Sequence, residues 1–166
     1  MRRGVVFLLA VLVAAPLAAK DSLGVFGDWG AFRDPQVPRC YAIAAAQDEA
    51  RQGNARREHA PFASVGTWPK HNVRGQIHFR LSRTVAASPR IALAVGTQRF
   101  ELTGGGGDAW AKDARMDAAI VAALRSAESM SLSATDRAGR RFTDRYSLDG
   151  AATALDAATV GCARVR

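Results

Sequence analysis

The residue types that could do chemistry in this 166-residue chain are few and scattered. Its three histidines are His59, His71 and His78, and no two stand at a spacing, such as i, i+4 on a helix, that would bring both imidazoles to one zinc ion. A serine nucleophile wants an elbow and an activating base, but no Gly-x-Ser-x-Gly occurs, and spacing alone does not put Ser64 beside any histidine. Glu101, Asp108, Asp113 and Asp117 could in principle supply the paired carboxylates of glycoside hydrolysis, yet helix capping and surface charge account for them equally well. The four glycines at 104–107 are followed neither by a helix in a Gly-x-Gly-x-x-Gly pattern nor by Gly-Lys-Ser/Thr, so they read as a flexible link ahead of Trp110 rather than a phosphate cradle. On these grounds no catalytic residue, no metal site and no cofactor is assigned.

Binding chemistry has better candidates. From Arg74 to Arg83 the sequence alternates, with Ile77, Phe79 and Leu81 on one parity and Gln76, His78, Arg80 and Ser82 on the other. A strand with that period puts the apolar row on a core and the polar row in solvent. Arg74, His78 and Arg80, helped by Arg83, then form a candidate face for an anionic envelope partner, since guanidinium groups pair bidentately with carboxylates and phosphates. Charges on an exposed strand also discourage edge-to-edge pairing, which is the competing account of the same residues. Trp29, Phe32 and Trp68 could build a platform for a sugar or peptide, though core packing is the stronger expectation for them. Dedicated nucleic-acid binding is not expected, because aromatics for base stacking are not interleaved with the outward arginines.

The start of the chain addresses the compartment. Met1-Arg2-Arg3 is cationic, Val5 to Leu17 is apolar apart from small residues, and Ala18-Ala19 precede the charged Lys20-Asp21. This is the pattern of a secretory signal peptide, residues 1–19, with Lys20 opening a mature domain of residues 20–166. The apolar run is too short to span a bilayer with comfort, so no transmembrane segment is expected once the signal is removed. Loss of Arg2 and Arg3 lowers the formal charge from +8 to +6, an Arg-rich basic balance that favours solubility and weak attraction to polyanions. The mature length suits one domain. Its two cysteines, Cys40 and Cys162, lie near opposite ends; in an oxidising compartment such a pair is most simply a disulfide, with two buried free thiols as the alternative.

The elements that would position these residues are mostly strands. Turn signals separate short apolar segments, giving an all-β or mostly β, antiparallel, sandwich-like domain with one or two short helices. Strands are expected at Arg39–Ile43, Arg74–Arg83, Ile91–Val95, Phe100–Leu102, Met130–Ala134 and Phe142–Leu148, with hairpin turns at Gly96-Thr97 and around Gly139. Gln47 to Pro61 has little to bury and reads as a loop. Asp113 is placed to cap a helix whose apolar stripe is Met116, Ile120, Ala123, Leu124 and Ala127, and a second, Ala-rich helix is expected at Ala151–Thr159, stopped by Gly161.

Several segments together carry a resemblance. They are Val25-Phe26-Gly27-Asp28-Trp29, Arg39-Cys40-Tyr41, Ala63-Ser64-Val65-Gly66-Thr67-Trp68-Pro69, the Gly96 to Leu102 hairpin, and Tyr146-Ser147-Leu148-Asp149-Gly150-Ala151 with Ala154-Leu155 and the late Cys162. In this order, behind a signal peptide, the chain resembles the invasion associated locus B family of exported proteobacterial proteins. The resemblance implies a periplasmic or secreted β domain, non-enzymatic, that interacts with a protein or an envelope surface. Many members of that family carry more cysteines than the two here. A small secreted hydrolase or carbohydrate-active domain, and a structural or stress-related periplasmic protein, are the alternative expectations.

Overall fold

The structure, a computed structural model, describes residues 20–47, 57–86 and 89–163. The expected signal peptide and most of the expected Gln47–Pro61 loop, including Arg51 and Arg56, lie outside the described residues. The mostly β, antiparallel architecture expected from the sequence is what the chain adopts. Among the described residues nine strands follow in the order β1 (Asp21–Phe26), β2 (Trp29–Asp34), β3 (Arg39–Ala45), β4 (Phe62–Trp68), β5 (Val73–Val85), β6 (Ile91–Val95), β7 (Gln98–Trp110), β8 (Ser129–Thr135) and β9 (Arg141–Ser147). Helix α1 (Ala114–Leu124) joins β7 to β8, and helix α2 (Ala151–Ala163) follows β9.

All strand pairs are antiparallel, in the spatial order β1-β2-β3-β4-β5-β7-β6-β8-β9. The long strands β5 and β7 let one continuous sheet fold over itself. The second half of β7 pairs with β5, as Phe79 with Ala109, while its first half pairs with β6, as Leu93 with Phe100. The glycine run therefore belongs to a strand and is not the flexible link expected. A Cβ at Gly104 would run into the Asp108 carbonyl oxygen, so β7 needs a residue without a side chain at that position. Folding the sheet brings β9 over β5: the Phe79 and Tyr146 rings lie 6.1 Å apart, and the Trp29 indole Nε1–H donates to the Ser147 carbonyl at 3.0 Å.

The core between the halves follows the alternation. Ile77, Phe79 and Leu81 of β5, Ile91 and Leu93 of β6, and Leu132 of β8 are wholly buried. Trp29 belongs to this core, whereas Trp68 and Phe32 do not. Asp144 shares the inward parity of Phe142 and Tyr146, and the reason is a buried hydrogen bond. Its carboxylate accepts the Ser82 backbone N–H at 2.9 Å, satisfying a donor where the β5–β7 register breaks.

Both helices lie on the inner side of the first half of the sheet. Asp113 caps α1, accepting the Met116 N–H at 2.8 Å, and Ile120, Ala123 and Leu124 face the core. Asp117, one turn in, accepts the Ile77 N–H at 2.8 Å just beyond the point where β7 stops pairing with β5. Its burial raises its carboxyl pKa, against the opposing effect of that hydrogen bond. Helix α2 runs past the expected stop at Gly161 to Ala163. There the glycine serves close packing: a Cβ would meet Leu23 of β1 at 2.5 Å. One contact of α2 with the sheet is covalent, since Cys40 of β3 and Cys162 of α2 form a disulfide with Cα atoms 5.6 Å apart.

Candidate functional site

The four residues expected to share one basic face are placed in three different surroundings. His78 and Arg80 project from the outer side of β5, as the alternation requires, but both turn to one carboxylate. Asp108 of β7 accepts Arg80 Nη1 at 2.7 Å and His78 Nε2 at 2.9 Å. Arg83 is a correction: it is 3% exposed and its Nη1 donates to Asp136 at 2.6 Å. The cause is its parity: Arg83 falls on the row of Ile77, Phe79 and Leu81, so the alternation itself turns it inward, and the residue that departs from the pattern is Ser82, buried past the break in β5–β7 register after Arg80. Arg74 is separated from His78 by the irregular end of the β4–β5 ladder and by Gly75, whose φ is +65°. It lies at a groove on the helix side of the sheet instead. The expected coherent Arg–His face therefore does not form.

The outer side of the first half of the sheet carries a different feature, which the register assembles strand by strand. Gly30 of β2 stands opposite Ile43 of β3, Ile43 opposite Ser64 of β4, Ser64 opposite His78 of β5, and His78 opposite Trp110 of β7. A neighbouring row runs Phe32, Tyr41, Gly66 and Gln76, and another runs Phe62, Arg80 and Asp108. Cross-strand partners share a face, so these rows make one surface. Neither helix covers it.

Two aromatic clusters occupy that surface. In one, the Phe32 and Tyr41 rings stack at 5.7 Å, the Arg39 guanidinium stands 4.8 Å over Tyr41 and 6.0 Å over Trp68, and Lys20 Nζ is 5.9 Å from the Tyr41 ring. In the other, His78 stacks on Trp110 at 5.1 Å and meets the edge of Phe62 at 5.5 Å. Glycines hold the rings flat: a Cβ at Gly30 would come 2.8 Å from Phe32, and one at Gly66 would come 2.5 Å from Trp68. Rings lying on a sheet leave an aromatic face turned to solvent, and Trp110 is 38% exposed. The second half of the sheet offers the contrast, since its outer side presents Arg99, Glu101, Ser133, Thr143 and Arg145.

The open face is only partly legible in the sequence. Phe32 and Trp68 are the platform candidates that lie there; Tyr41, Phe62 and Trp110 join them without having been expected to, and Trp29 belongs to the core. A signal does exist in pairs spaced by two: Gly30 before Phe32 and Gly66 before Trp68, each a glycine two residues ahead of the ring that covers it.

No family model and no curated protein matches this sequence. Among solved structures, the chain is similar to the crystal structure of invasion associated protein B from Bartonella henselae, with a TM-score of 0.57, 17% identity, and coverage of 86% of this chain and 97% of that one. The likeness, at that identity, is one of fold, and it falls on the family whose pattern the sequence resembles.

Proposed function

We propose that this chain is an exported, non-enzymatic binding module of the periplasm or secreted space that holds a protein or envelope-surface partner on the open aromatic face of its sheet. The observation that carries the reading is the contrast between the two outer sides of one folded sheet. Where the polar half is lined with Ser, Thr, Arg and Glu, the other half keeps Phe32, Tyr41, Phe62, Trp68 and Trp110 in reach of solvent. Aromatic and Arg side chains contribute most of the energy at typical interfaces, and Arg39 stands among these rings already oriented. With Arg80 ion-paired to Asp108 and His78 hydrogen-bonded to the same carboxylate, recognition by this face rests on ring surface more than on net positive charge. The Cys40–Cys162 bond supports export, because such bonds persist in oxidising compartments. The fold likeness to a protein named for invasion association supports an envelope or secreted setting.

Co-sedimentation with envelope fractions of the cell that makes the protein tests the reading. Tyr41→Ala and Trp110→Ala should each weaken retention about tenfold or more, at unchanged melting temperature. Thr143→Ala, on the polar half, should leave it unchanged. Equal retention of all three variants contradicts the reading. Intact mass of the exported form should match a chain beginning at Lys20.

One observation favours a second reading, a small secreted hydrolase. Ser64 stands directly opposite His78, and His78 is hydrogen-bonded to Asp108, so the three residue types of acyl transfer share the open face. Hydrolysis of p-nitrophenyl acetate that is abolished by Ser64→Ala would favour this reading over the first.

A further inference from the structure

On the inner side of the sheet the two helices flank a strand, β4, that α2 touches only along its edge. Helix α2 packs on β1, β2 and β3, burying Ala151, Ala154, Leu155 and Ala158, while α1 packs on β5. Strand β4 lies between them. With strands about 4.8 Å apart, helices seated over β2–β3 and over β5 have axes roughly 12 Å apart, beyond the 8–10 Å of helices in contact. The facing residues widen the gap, being small: Ala118 and Ala122 on α1, Ala158 and Ala163 on α2. The result is a groove of about 1000 Å³, floored by Val65 and Thr67 of β4 and walled by Val121 and Leu155.

Charge is distributed unevenly along it. Arg125 is held by Asp156 at 2.6 Å, which ties α1 to the middle of α2 and closes one end. The other end is marked by Thr67, whose hydroxyl accepts the Gly75 N–H at 3.2 Å and whose carbonyl lies 3.9 Å from Cys162 Sγ. From Asp156 to Cys162 is six residues of helix, about 9 Å of axis. At that second end stand Lys70 and Arg74, both exposed, both lining the groove, and neither ion-paired among the described residues. None of the residues lining the groove is acidic.

We propose that this groove binds an amphiphile with a single acyl chain and an anionic head, the chain lying along Val65, Val121 and Leu155 and the head meeting Lys70 and Arg74. Apolar walls with a few polar groups fixing orientation at one end are the usual build of a lipid or small-molecule site, and the volume leaves room for an acyl chain. Two unpaired cations at one mouth select the sign of the head: an anion gains charge-assisted hydrogen bonds there, a cation meets repulsion. A carboxylate and a phosphate head share this chemistry. The site is on the opposite side of the sheet from the open aromatic face and does not depend on it.

The experiment is isothermal titration of the purified, oxidised protein with dodecanoate, dodecyl phosphate and dodecyltrimethylammonium, each below its micelle concentration, with inorganic phosphate as a head without a chain. One-to-one binding of at least one dodecyl anion is expected, about tenfold or more tighter than the ammonium, with no binding of inorganic phosphate; the tighter anion identifies the head. Ala122→Trp, an exposed position that fills the groove, should remove binding. Lys70→Glu with Arg74→Glu, both exposed, should reverse the preference toward the ammonium. Trp110→Ala should leave the dodecyl anion affinity unchanged. Equal affinity for the anions and the ammonium, binding of inorganic phosphate alone as tightly as the anionic amphiphiles, or an affinity within twofold of native in both groove variants, overturns the proposal.

Discussion

Reducing the Cys40–Cys162 bond should cost this domain a large part of its stability. The two residues are 122 apart in sequence, so the bond removes a long loop's closure entropy from the unfolded chain. In the chain-entropy account a loop of that length corresponds to about 5 kcal/mol at 25 °C. For a domain of this size each kcal/mol is worth roughly 3 °C, so the melting temperature should fall by on the order of 15 °C. The bond also fastens α2 to β3, and both half-cystines are buried, which adds a packing contribution when they are replaced. Guanidinium denaturation with and without dithiothreitol, beside the Cys40→Ala/Cys162→Ala double variant, separates the two effects. If closure entropy dominates, the reduced protein and the double variant should lose similar amounts, within about 1 kcal/mol of each other. A reduced protein whose midpoint matches the oxidised one would refute the reasoning, since the unfolded chain would then gain nothing from being cut free.

Other consequences follow from buried polar groups. Arg83→Gln should lower the melting temperature by on the order of 5 to 10 °C, because Asp136 loses a buried partner, while Arg80→Gln, half-exposed beside Asp108, should change it by about 1–2 °C. Tyr146→Phe should be neutral or stabilising by about 1 kcal/mol, since the Tyr146 hydroxyl is buried with no hydrogen-bond partner among the described residues and burial pushes its pKa upward; a clear loss of stability in denaturant titration would contradict this. Asp136 is held at a pKa of about 2, below the ordinary 3.8, chiefly by the Arg140 backbone N–H, with the Arg83 and Arg140 guanidiniums and the Ala138 N–H contributing. A carboxyl whose pKa falls on folding stabilises above its unfolded pKa, so that contribution should be lost as pH falls from about 4 to about 2, and Asp136→Asn should flatten this acid limb in pH-dependent unfolding.

The features legible in the sequence are those that one strand or one helix decides alone. The period-two rows of Ile77, Phe79 and Leu81, the Gly96 hairpin and the Asp113 cap each depend on a few neighbouring residues, and each is where it is expected. What is not legible depends on the sheet folding over itself. Ser82 reads as outward by alternation, yet it is buried past the register break after Arg80; Arg83, inward by the same alternation, finds its buried partner in Asp136, a residue 53 positions away. Asp144 reads as a fault in a strand, yet it answers the Ser82 N–H exposed by the same break. The glycines at 104–107 read as a link because a sequence does not show that the bent part of β7 must pass close to its own backbone. The open face is hidden for a related reason: its rings come from β2, β3, β4 and β7, and only the register puts them together.

Photo-crosslinking in intact cells tests the aromatic-face claim most directly, with benzoylphenylalanine placed at Ile43, in the middle of the open face, and at Thr143, on the outer side of β9. A partner bound on the aromatic face should give a discrete adduct from position 43 in the envelope or secreted fraction and none from position 143. Adducts from position 143 alone, or no adduct from position 43 in a folded, exported protein, would contradict the central claim.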